Sequence, residues 1–113
     1  MNELENRCLQ FAIDIRLKLK NLPRNTSNVE DFKQVVRSSG SIGSNYIEAN
    51  ESLGDKDKLF RMRIARKEAK ETIYWLTILE NTNREFSKEL HDLIGETDEL
   101  KKIISAIITK LSR

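Results

Sequence analysis

The chain has 113 residues, 34% of them charged and 38% hydrophobic, with a formal net charge of +2 at pH 7. That length suits one domain, residues 1–113, with a modest core and little room for a deep catalytic cleft. No run reaches the roughly 18–20 apolar residues of a membrane span. The first residues lack the basic start and apolar block of a secretory signal, so a cytoplasmic protein with no membrane partner is expected.

Breakers are scarce, with one proline and four glycines, and apolar residues recur every three to four positions, the helical period. The first helix is expected over about residues 2–22, stopped by Pro23. Leu4, Cys8, Phe11, Ala12, Ile15, Leu19 and Leu22 fall within an arc of about 100° and form its core stripe. Cys8, the only cysteine, excludes an internal disulfide and suits a small buried hydrophobe. Leu9, Ile13 and Leu17 make a second stripe on nearly the opposite side. Burial against another subunit is one reading of that second face; three scattered surface aliphatics is the other.

The second helix is expected over about residues 28–52, with Ser27 or Asn28 as its N-cap and Glu30 and Asp31 in its first turn. Its core stripe is Phe32, Val35, Val36, Ser39, Ile42, Gly43, Tyr46, Ile47 and Leu53. Residues 38–44, SSGSIGS, have a loop-like composition. The apolar period nevertheless crosses them in register, so the reading is an unbroken helix whose small residues admit a neighbouring backbone. Gly54 then serves as a C′ residue and Asp55 as the next N-cap.

The third helix, about residues 56–81, holds seven of the chain's 20 Lys and Arg residues. Lys56, Arg63, Arg66, Lys67 and Lys70 lie within an arc of roughly 100°. Met62, Ala65, Ala69, Ile73, Leu76 and Leu79 take the core side, and Phe60, Ile64 and Trp75 widen the apolar surface on one flank. The cations sit towards the helix N-terminus, where they oppose the macrodipole, so helix stability does not account for them. Their alignment suits the phosphates of RNA or DNA. A solvated face, or ion pairs to another helix or subunit, is the alternative. Base-specific recognition is not indicated, because no recognition motif and no paired aromatic platform is present. The last helix, about residues 86–112, keeps Phe86, Leu90, Leu93, Leu100, Ile103, Ile104, Ile107, Ile108 and Leu111 on one face, with Gly95 on the other side. Four amphipathic helices with short connections predict an all-α, antiparallel, up-down-up-down four-helix bundle.

Catalytic and metal patterns fail. Ferritin-like di-iron bundles use Glu-x-x-His pairs; here Glu68-x-x-Glu71 has no histidine, and the only one, His91, lies in the last helix. Cys8 and His91 make neither a zinc set nor a nucleophile–base pair, and no phosphate-binding loop is present. No enzyme activity, cofactor or metal is expected. Ser41, Asn45 and Glu48 form a polar stripe on the second helix, with Arg37 one turn earlier. Glu68 and Glu71 lie beside Trp75 on the third. A structural network between these groups is one reading, and a small ligand or metal held by Glu48, Glu68 and Glu71 is another.

Ser41-Ile42 followed by Asn45-Tyr46-Ile47-Glu48-Ala49, then Ile64-Ala65-Arg66-Lys67-Glu68-Ala69, then Glu71-Thr72 and Tyr74-Trp75-Leu76, together cover about a quarter of the chain. These two segments resemble the bacterial four-helix-bundle family named for the 23S rRNA intervening-sequence protein. The resemblance implies a ring-like homopentamer. It also implies that Asn45, Glu48, Glu68, Glu71 and Trp75 belong to the family pattern, without assigning them a reaction. A related bundle, the accessory protein of diversity-generating retroelements, is similarly pentameric and basic and works with a reverse transcriptase and nucleic acid. By analogy, the expected function is a non-enzymatic oligomer that binds RNA or DNA backbone through the third-helix stripe. The alternatives are a scaffold docking an acidic protein, or a small-ligand or metal-binding bundle.

Overall fold

A computed structural model describes residues Met1–Arg113: four helices and no strand, with 87% of the chain helical. Helix α1, Glu3–Leu19, opens on a capping box. The Asn2 side chain accepts from the Glu5 amide at 2.7 Å, and the Asn2 amide donates to the Glu5 carboxylate at 2.9 Å. Two of the four orphan N–H groups of the helix start are thereby satisfied. The chain leaves the helix three residues before Pro23, and Leu22 remains buried beyond it.

Helix α2, Thr26–Asn50, is capped by Asn25, whose side chain accepts from the Asn28 amide at 2.9 Å. The sequence pointed instead to Ser27 or Asn28. Asn28 is engaged elsewhere: its side-chain amide donates to the Pro23 carbonyl at 2.9 Å and to Asn83 at 2.8 Å, and Asn83 donates back at 2.9 Å. This reciprocal amide pair ties the α1–α2 turn to the turn after the third helix. The SSGSIGS segment stays helical throughout. At Gly43 a Cβ would stand 3.0 Å from the Cβ of Cys8, so the missing side chain is what lets α1 and α2 close on one another. Leu53 corrects the expected stripe. The helix ends at Asn50, so its period no longer governs Leu53, which is fully exposed.

Helix α3, Asp55–Thr82, has Gly54 at its N-cap and Asp55 as its first residue, one position off expectation. Gly54 has φ −151°, an extended conformation with no left-handed demand. Asp55 and Asp57 stand in the first turn, where they favour the macrodipole. Phe60 departs from the apolar flank assigned to it and is exposed, whereas Ile64 and Trp75 are half-buried. A 3-10 turn, Arg84–Phe86, leads into α4, Ser87–Leu111, whose apolar face runs unbroken past Gly95. The Gly95 position faces open space.

Nineteen buried hydrophobic residues, eighteen from the four helices and Leu22 from the α1–α2 turn, form one core cluster along a bundle measuring 45 × 22 × 22 Å. The α2–α3 and α3–α4 pairs pack broadly, and α1 lies on α2 with only a narrow seam to α4. Arg7 closes that seam with two hydrogen bonds of 2.8 Å to Glu96, the bidentate geometry that makes Arg–carboxylate pairs strong. Burial raises the Cys8 thiol to about 11, as befits a core residue. No helix is long and apolar enough to cross a membrane.

Candidate nucleic-acid interface

Helix α3 lies between α2 and α4 and buries Met62, Ala65, Ala69, Leu76 and Leu79. The face opposite that core is left to solvent. Lys56, Arg63, Lys67 and Lys70 are exposed on it, and Arg66 at its edge is half-buried. None of the five forms an ion pair within the chain. The ion pairs that do form lie elsewhere: Glu96 with Arg7, Glu30 with Lys33, and Asp98 with Lys101 and Lys102. The stripe therefore keeps its full charge on the outside. From Lys56 to Lys70 it runs about 21 Å along the axis at 1.5 Å per residue.

On the side of α3 that meets α2, the polar groups of the two motif segments divide. Arg37 of α2 reaches across with both guanidinium nitrogens. Nη1 donates to Glu68 Oε2 at 3.0 Å, and Nη2 donates to Glu71 Oε1. Trp75 Nε1 donates to the same Glu71 oxygen at 3.4 Å, and the Trp75 ring meets Tyr74 edge-on, with centroids 5.1 Å apart and an 83° interplanar angle. The guanidinium, with lesser help from the indole N–H, holds the Glu71 carboxyl below its ordinary value. One turn inward, the buried Thr72 hydroxyl donates to Ser38 at 2.8 Å. Every buried side-chain nitrogen and oxygen has a partner.

Ser41, Asn45 and Glu48 do not join this network. Ser41 donates to the Arg37 carbonyl at 2.9 Å and Asn45 to the Ser41 carbonyl at 2.8 Å, both within α2. Glu48 is exposed, beside Leu53, Phe60 and Arg61. The cause is the antiparallel pairing. Glu48 shares a helix face with Arg37 but lies eleven residues further along, about 16 Å at the helical rise. It therefore stands level with the start of α3, not with Glu68 and Glu71. No three His, Cys, Asp or Glu side chains converge as metal ligands would, and the two carboxylates that do meet already share a cation. The sequence reading missed the Ser38–Thr72 and Asn28–Asn83 contacts and the Arg7–Glu96 clamp. Thr72 alone had a visible signal, since it falls on the core side of the α3 projection.

On α1 the second apolar stripe is open: Leu9 is 44% exposed, Ile13 38% and Leu17 57%. Beside it, Leu9, Ala12, Gly40, Gly43 and Ile47 line a shallow apolar groove of about 270 Å³ between α1 and α2.

The family model described as 23S rRNA-intervening sequence protein matches residues 2–106. Among solved structures, the chain is similar to a protein of unknown function from the S23 ribosomal protein family of Bacteroides thetaiotaomicron. The two are 29% identical with a TM-score of 0.80, over 93% of this chain and 97% of that one. No curated protein matches.

Proposed function

Because the chain belongs to the 23S rRNA-intervening sequence protein family, whose name assigns it no reaction, we propose a non-enzymatic role: a self-associating bundle that binds RNA or DNA backbone through Lys56, Arg63, Arg66, Lys67 and Lys70. The observation that carries the proposal is the lack of any acidic partner for these five cations on an exposed helix face. Cations condensed along a nucleic-acid backbone are released when Lys and Arg neutralise its phosphates, and that entropy gain needs no base contact. Self-association is supported by the exposed Leu9–Ile13–Leu17 row and the narrow α1–α4 seam. A pentamer is the assembly that the sequence resemblance implies.

Filter binding or gel retardation over a salt series tests the reading. The wild-type protein is expected to retain nucleic acid at low salt, with log affinity falling linearly against log salt. Reversing Arg63, Lys67 and Lys70 to Glu is expected to abolish retention without unfolding the helix, since all three side chains are exposed. Folded wild-type protein that retains neither RNA nor DNA at low salt would refute it. A pull-down of one acidic protein that survives nuclease treatment would move the same face to the protein-docking alternative.

A further inference from the structure

Phe60 and Tyr74 are 59% and 60% exposed, unlike the core aromatics Phe11 and Tyr46 at 2% and 7%. Core packing does not account for two large rings left in water. Their positions are not scattered. At about 100° per residue, Lys56, Phe60, Arg63, Lys67, Lys70 and Tyr74 follow one another at alternating steps of four and three residues and stay within an arc of about 80°. Cations and aromatic rings thus share one outward strip of α3, with the two rings about 21 Å apart along the axis. Each ring also has a local support. The Arg61 guanidinium lies 6.0 Å from the Phe60 centroid. Tyr74 abuts Trp75, which is held in turn through Glu71 by Arg37.

Resting on the backbone-binding reading above, we propose that the ligand of this strip is single-stranded nucleic acid, with Phe60 and Tyr74 stacking on unpaired bases while the cations between them neutralise phosphates. A duplex satisfies the cations but hides its base faces in its own stack, leaving both rings without a function. A single strand satisfies both, and every base offers a π-face, so no sequence preference is required. An acidic protein surface would complement the charge but offers no regular series of flat apolar faces at the spacing of the rings.

The test compares an oligothymidylate of about 20 nucleotides with the same strand annealed to its complement, using wild-type protein, Phe60→Ala, Tyr74→Ala, Tyr74→Phe and the triple charge reversal. Wild type is expected to bind the single strand more tightly than the duplex. Each alanine variant is expected to weaken single-strand binding by about 5- to 100-fold, leaving duplex binding and the salt slope unchanged, because no phosphate contact is removed. Tyr74→Phe keeps the ring and is expected to bind as wild type. Alanine variants that bind the single strand as well as wild type, or a wild type that prefers the duplex, overturn the single-strand inference. If charge reversal still abolishes binding in that case, the backbone reading survives alone. Absence of binding to either form overturns both. Light scattering runs alongside: alanine variants that change the subunit count place the rings in a contact between copies and also overturn the inference.

Discussion

Replacing Arg37 with methionine leaves two α3 carboxylates without the cation that α2 supplies. Glu68 is the costly one. Its side chain is 8% exposed and Arg37 Nη1 is its cationic partner at 3.0 Å. Removing one member of a fully buried ion pair costs about 3–5 kcal/mol, because an uncompensated charge remains in a poorly solvated place. The Arg37 side chain is 49% exposed, so water can enter the space its head group vacates and recover part of that loss. Glu71, at the wetter edge, adds no more than the roughly 0–1 kcal/mol of a surface pair. The expected loss is therefore about 2–3 kcal/mol at neutral pH, read as a lower urea midpoint with an unchanged slope. Arg37→Met combined with Glu68→Gln should recover part of it, since the neutral amide no longer strands a charge. The pH dependence supplies a second readout. Glu71 has its folded-state value held below the ordinary 4.5, chiefly by the Arg37 hydrogen bond. Its contribution is thus fully present above the unfolded value and is lost as pH falls through the lowered one. The gap between wild type and Arg37→Met should narrow as pH drops below about 4.5. A loss under about 0.5 kcal/mol, or a gap that stays constant from pH 7 to pH 3, would refute the clamp as a stabilising feature.

Two glycines should respond in opposite directions to the same change. Gly43→Ala presses a methyl against Cys8 at 3.0 Å and should cost about 1–3 kcal/mol in chemical denaturation. Gly95→Ala meets nothing within 4 Å in mid-helix and should stabilise by about 0.5–1 kcal/mol. Asn28→Ala removes the donor to the buried Asn83 Oδ1, while Asn83 Nδ2 keeps the Leu79 carbonyl at 3.0 Å, and should lower stability by about 1–3 kcal/mol, with Asn83→Ala adding little on top; strict additivity would show that the pair does not act as a unit. Replacing Leu9, Ile13 and Leu17 with glutamine should lower the mass seen by light scattering while leaving helicity intact. A wild-type particle of 13.2 kDa at micromolar concentration would remove the basis for that expectation.

Much of this molecule is legible one helix at a time. The apolar period, the near absence of breakers and the unbroken register through SSGSIGS specify four helices, because each core stripe is a property of one helix and its 3.6-residue turn. The basic stripe of α3 and the open row on α1 follow from the same projection. Failures cluster where that period stops or where two helices must be aligned. Leu53 was carried past the end of α2 by a periodicity that the turn had already broken. The α2 cap fell to Asn25 because Asn28 had a partner in Asn83, 55 positions away. Projection placed Ser41, Asn45 and Glu48 beside Arg37 on one face, but not their level against α3. Only the antiparallel docking of α2 on α3 decides that level, and it sets Arg37 against Glu68 and Glu71 while leaving Glu48 about 16 Å away along the axis. Periodicity reports which way a side chain points. Which group it meets depends on the relative translation of two helices, and packing across the whole bundle sets that.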